Sequence, residues 1–78
     1  MEKVFDLIRA ERARQDAKWG ANRHLENTLW LTILAEEFGE VARAILERDP
    51  NLVNELVQVA AVAVCWLEMI MGERNASV

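Results

Sequence analysis

The sequence predicts an all-α chain: an antiparallel bundle of about three helices, completed by oligomerisation. Three observations carry this. Apolar residues recur at helical intervals through three long segments. β-branched residues are few outside the last segment, Tyr is absent, and no alternating apolar–polar pattern persists. Hydrophobic residues make up 53% of a 78-residue chain. A monomer of that size has little interior in which to hide them, and a second copy would complete the bundle.

Each element follows from local signals. The first helix is expected from Glu2 to Ala17, with Val4, Phe5, Leu7 and Ile8 as its apolar side. Gly20 and Asn22 break the pattern, so the segment from Trp19 to His24 reads as a loop. The second helix begins near Asn27 or Thr28, either of which can cap a helix N-terminus. It continues to about Arg48, with Trp30, Ile33, Leu34, Phe38, Val41, Ile45 and Leu46 at helical spacing. Pro50 disfavours helix at Asp49, which makes Asp49-Pro50-Asn51 a turn. The third helix runs from Pro50 or Asn51 to Met71, where Gly72 suits its stop, and Glu73 to Val78 is expected to fray. The first helix is expected to pack back on the other two. Residues 1–78 form one domain, with no repeat, low-complexity stretch or linker.

Composition narrows the function. The net charge is −4, which argues against binding a nucleic-acid polymer. Residues 1–24 carry six Lys/Arg against four acids, and residues 25–78 carry three against nine. The two regions could meet around a metal–polyphosphate ligand, or balance each other as solvated faces. The charged N-terminus shows no signal peptide. The uninterrupted apolar run Val59 to Leu67 is shorter than the roughly 18 residues that span a bilayer, so it reads as a buried core helix and no membrane is expected. Cys65 is the sole cysteine. It excludes an intrachain disulfide, fits a reducing cytoplasm, and reads as a small buried hydrophobe.

The segment Glu36-Glu37-Phe38-Gly39-Glu40 carries the chemistry. Its three carboxylates interrupt an apolar helix. Glu37 and Glu40 share a face, as do Glu36 and Glu40. On the third helix Glu55 and Gln58 have the same spacing, among Leu52, Val53, Leu56 and Val57. A turn near residues 49–51 places positions 40 and 55 at comparable heights, so Glu37, Glu40, Glu55 and Gln58 can converge. Buried carboxylates are costly unless they pair or bind a cation. Oxygen donors of this kind suit Mg²⁺ or Mn²⁺. The plain alternative is that Glu40 pairs with Arg43 or Arg48.

Glu37-Phe38-Gly39-Glu40, a 14-residue spacer, then Glu55-Leu56-Val57-Gln58 resembles the MazG-like all-α nucleoside triphosphate pyrophosphohydrolases, whose signature is ExxE followed by ExxD on two antiparallel helices. Glu36 fits a first motif that often reads EExxE, and Arg14-Gln15-Asp16-Ala17-Lys18-Trp19-Gly20 looks like the opening of small members. The resemblance spans roughly residues 5–70. It implies hydrolysis of (d)NTP to (d)NMP and pyrophosphate, dependence on Mg²⁺ or Mn²⁺, and assembly as a homodimer or dimer of dimers. It further implies that Glu37, Glu40 and Glu55 hold the metal, with Gln58 where the family has Asp. Glu36 would orient or deprotonate the attacking water. Lys18, Arg23 or His24 would contact phosphates, and Trp19 or Trp30 would stack on a base. Trp30 also lies on the apolar stripe of the second helix, which suits a core residue, as Trp66 does. Because Gln58 removes one negative charge, a nucleotide-binding module with weak or absent catalysis is the alternative function. A purely structural helical oligomer is the third reading.

Overall fold

The computed structural model describes residues 1–72. The frayed tail expected for Glu73 to Val78 lies outside them. Three helices follow in order, α1 (Glu2–Trp19), α2 (Asn27–Leu46) and α3 (Leu52–Met71), with no strand among the described residues.

Helix ends are set locally. α1 runs to Trp19, two residues past its expected end. It stops at Gly20, whose φ of 94° is open to glycine and whose N–H donates to Asp16 O at 2.8 Å. α2 is capped by Glu26, with no side-chain cap bond, rather than by Asn27 or Thr28. Asn27 is engaged elsewhere, and its Oδ1 accepts the indole N–H of Trp66 at 2.9 Å. α2 ends at Leu46, because Arg48 turns left-handed at φ 54° and Asp49 N–H donates back to Ala44 O. Asp49 Oδ1 then accepts the Asn51 N–H at 2.8 Å, an Asx turn that launches α3. Gly72 closes α3 in the left-handed conformation.

Trp30, Val62 and Cys65 form the centre of the core, with Leu25, Ile33, Leu34, Trp66 and Met69 packed round it. Trp30 is 1% exposed. Its ring stacks on Trp66 at 6.5 Å between centroids and 10° between planes, and its N–H points to Met69 Sδ at 3.2 Å. Trp30 is therefore core, and the first turns of α2 meet the last turns of α3.

The backbones of α1 and α2 each approach α3 but not each other. The expectation that α1 packs on both other helices is corrected accordingly. α1 is weakly amphipathic, and Val4, Phe5 and Leu7 are exposed while Ile8 is half-buried. What ties α1 to α3 is ionic: Arg12 donates to Glu68 from Nε at 3.0 Å and from Nη2 at 2.7 Å. α1's buried residue is Gln15.

Two apolar stripes face outward. On α2, Leu31, Phe38 and Ile45 repeat every seven residues and are exposed, so Phe38 and Ile45 are not core. On α3, Val53, Leu56, Leu67 and Ile70 are exposed along one line. α3 is thus only partly a buried core helix, with Ala61, Val62 and Cys65 inside. By length and composition it is apolar enough to cross a membrane. The uninterrupted run alone understates it, because Gln58 and Glu68 bound the run without ending the helix.

Candidate functional site

Since the backbones of α1 and α2 both lean on α3 and stay apart from each other, a gap opens between them. It forms a cavity of about 480 Å³. α1 supplies Arg14, Gln15 and Trp19 to its wall, the following loop supplies Arg23 and Leu25, and α2 supplies Trp30, Ile33, Glu36 and Glu37. Val62 of α3 forms part of the lining.

Glu37 is the electrostatic centre of this region. Burial pushes its carboxyl above the ordinary value, and the negative charges of Glu55, Glu11 and Glu40 add to that, with Arg14 opposing. Its Oε2 is buried and has no hydrogen-bond partner. Carboxylates from all three helices therefore act on one acid that lacks a compensating donor. The expected neighbours Glu40 and Glu55 are among them, and Glu11 of α1 joins them.

The predicted ligand set is close but not assembled. Glu40 lies 3.6 Å from Arg43 Nη1, the pairing that stood as the plain alternative. Glu55 Oε1 accepts from Asn51 Nδ2 at 3.4 Å. Gln58 does not line the main cavity. It faces a second one of about 370 Å³ between α1 and α3, shared with Glu11, Arg14, Asn51 and Asn54. Glu36 is exposed at the wall of the main cavity. Among the described residues, no three His, Cys, Asp or Glu side chains are placed to hold one ion as they stand. The donor chemistry nonetheless fits a hard divalent cation. It consists of carboxylate oxygens, one of them buried and unpartnered, while Glu40 and Glu55 have exposed partners in Arg43 and Asn51.

The predicted substrate residues divide. Trp19 and Arg23 meet at the cavity, with the Arg23 guanidinium 5.7 Å from the Trp19 ring centre and 5.5 Å from that of Trp30. Arg23 Nη2 also points to Cys65 Sγ at 3.3 Å, so Cys65 is buried as expected but has a polar neighbour. Lys18 lies over the Trp19 ring at 4.6 Å and does not line the cavity. His24 is exposed in the loop.

Three residues of α1 enter the site unpredicted: Glu11, Arg14 and Gln15. Arg14 donates to both oxygens of Glu11, at 2.9 and 2.7 Å, and these bonds hold the Glu11 carboxyl below its usual value despite partial burial. Gln15 Nε2 donates to Glu11 Oε2 at 3.1 Å. Their i, i+3, i+4 spacing on one helix face was the available signal. Compared with protein-family models, curated proteins and solved structures, the chain finds no match in any of the three.

Proposed function

We propose that the chain is a Mg²⁺- or Mn²⁺-dependent nucleoside triphosphate pyrophosphohydrolase of MazG-like type, releasing (d)NMP and pyrophosphate in the cytoplasm. The observation that carries this reading is at Glu37: a buried carboxylate oxygen without a hydrogen-bond partner, on a carboxyl raised by burial and by the charges of Glu55, Glu11 and Glu40 against the opposing Arg14. It sits beside a cavity that carries an indole and a guanidinium. Such a concentration of negative charge is unfavourable without a cation.

Glu37, Glu40, Glu55 and Gln58 are the oxygen donors. Glu40 and Glu55 reach inward by leaving Arg43 and Asn51, both exposed contacts of little energetic weight. A divalent cation bound there supplies charge neutralisation for a polyphosphate. Glu36, exposed at the wall, accepts a proton from the attacking water. The oxygen of that water bonds to phosphorus, the bridging bond between the α and β phosphates breaks, and pyrophosphate leaves.

α2 and α3 run antiparallel, and the exposed α2 and α3 stripes seat a second copy of the chain. On α3 the exposed Val53, Leu56, Leu67 and Ile70, with the half-buried Ala60 and Ala63 between them, follow a 3-4 repeat, which is the spacing of a helix–helix seam.

The test is pyrophosphate release from a panel of NTPs and dNTPs with Mg²⁺, Mn²⁺ or EDTA, with the nucleotide product identified. Metal-dependent release with a monophosphate product is expected, and Glu40→Gln or Glu55→Gln should abolish it while the helical circular dichroism persists. Turnover unchanged by both substitutions would remove the metal site. The position of Gln58 on the neighbouring cavity favours a second reading, a nucleotide-binding module that does not cleave. A large gain of hydrolysis in Gln58→Asp would mark it.

A further inference from the structure

Among the described residues, the buried side-chain polar atoms without a hydrogen-bond partner are Gln15 Oε1, Arg23 Nε and Glu37 Oε2. All three residues line the same cavity. Buried polar groups are nearly always paired, because an unpaired one loses its water and gains nothing in return. Three orphans around one space point to a ligand that brings the partners. Glu37 is accounted for by the cation. Gln15 and Arg23 are not.

Gln15 is 3% exposed, so its side chain is fixed by its surroundings. The orientation of its amide is also fixed. Glu11, clamped by two bonds from Arg14, is an ionised carboxylate that only accepts, so the nitrogen of Gln15 must face it. That leaves the oxygen as the group offered elsewhere. Arg23 is held in a similar way: Nη2 is directed at Cys65 Sγ, and the buried Nε–H is left without a partner. The pair presents one acceptor and one donor. Beside them the Trp19 ring is 51% exposed and open to stacking, whereas Trp30 is 1% exposed and is not.

We propose that Gln15 and Arg23 read the base of the nucleotide, with Trp19 as its stacking platform. Gln15 Oε1 accepts from a ring or amino N–H, and Arg23 Nε donates to an adjacent ring nitrogen or carbonyl oxygen. A planar heteroaromatic ring with a donor beside an acceptor is the chemistry of a nucleobase edge. Both atoms are shielded from water as the chain is folded here, so the cavity wall opens locally for the base to reach them, while the exposed Trp19 ring remains the face on which it stacks. Arg23 is then a base-reading residue and not a phosphate ligand. The inference rests on the nucleotide reading above but not on hydrolysis.

The experiment is titration of the full chain, in EDTA, with the four ribonucleoside 5′-monophosphates and with ribose 5-phosphate as the base-free control. It is followed calorimetrically and by the indole N–H resonances. At least one nucleotide should bind about tenfold or more tighter than ribose 5-phosphate, the scale of a lost hydrogen-bond partner. Gln15→Met, close in shape, should erase most of that margin and leave ribose 5-phosphate unchanged. Trp19→Ala, at an exposed position, should do the same, and it decides the matter if Gln15→Met does not fold. Equal binding of nucleotide and ribose 5-phosphate, no binding of either at millimolar concentration, or a margin that survives the substitutions overturns the proposal. Cleavage of triphosphates without base-dependent binding would sink the Gln15 reading alone. Base-dependent binding without cleavage would sink the hydrolase reading alone.

Discussion

Arg12 directs two of its nitrogens at a single oxygen of Glu68, 56 residues away, and its third at Asp16. The guanidinium side chain is 12% exposed, so this is a partly buried, charge-assisted tie between α1 and α3 and not a surface pair. Arg12→Ala removes all three bonds and leaves Glu68 half-buried without them. The expected cost is about 2 kcal/mol, which for a chain of this size lowers the melting temperature by roughly 10 °C. Arg12→Lys should recover only part, since an ammonium cannot reproduce the fork. A thermal melt followed by circular dichroism checks it, and an unchanged melting temperature would show that α1 is held by something else.

Glu37 gives a prediction of opposite sign. Its folded-state carboxyl is raised by burial and by neighbouring acids. A raised acid favours the protonated form in the folded state, so stability is lost as pH rises through the folded value. Glu37→Gln should therefore raise the melting temperature by a few degrees at pH 7 in EDTA and flatten that part of the pH profile. Glu11 works the other way. Arg14 lowers its carboxyl, so its stabilisation is present above the ordinary carboxylate value and is lost as pH falls through the lowered one. Destabilisation by Glu37→Gln in EDTA would show that the acid has a partner.

The same acids predict a response to metal. If Mg²⁺ or Mn²⁺ binds the folded chain alone, the melting temperature must climb with its concentration, the gain reaching about 2.7 kcal/mol at a hundredfold excess over Kd. Ca²⁺ and monovalent salt at equal ionic strength separate a site from screening. Glu37→Gln should abolish the Mg²⁺ shift while keeping its own higher baseline. A shift that persists in this variant would place the ion elsewhere.

Leu67 lies exposed in the C-terminal half of the α3 stripe. If that stripe is a seam between copies, Leu67→Glu puts a charge into each side of it, and the assembly should fall to a single chain of 8.9 kDa by light scattering. The separated chains should keep their helical signal, because Leu67 is not part of the core about Trp30. A wild-type chain that already scatters as a monomer would refute the seam outright.

Much of the fold was legible because its boundaries are written in single residues. Pro50 and Gly72 each punctuate the chain where a helix must begin or end, and of the two roles open to Trp30 its place on the apolar stripe pointed to the core, where it lies. Phe38 and Ile45 were placed on the right stripe but not on the right side of it. Periodicity defines a face, and the neighbour it meets is a tertiary fact. Asn27 looked like a cap because its partner, Trp66, is 39 residues further on. For the candidate site, spacing singled out Glu37, Glu40 and Glu55, and the charges of the last two act on the first, but spacing does not say which partner each side chain takes. Gln15 was not singled out, since an amide inside a charged run resembles solvated surface until Glu11 and the cavity wall give it a place.

One consequence of α1 having its backbone against α3 alone concerns the least costly excursion open to the chain. The stacked indoles and Cys65 belong to α2 and α3, so α1 can lift away without disturbing them. Lifting breaks the Arg12 tie and removes the cavity wall formed by Arg14, Gln15 and Trp19. Assembly of the site and docking of α1 are then one event, with a free energy well below that of global unfolding. Backbone amides of α1 should exchange with solvent together and ahead of those around Trp30, and whatever fills the cavity should slow that one helix most.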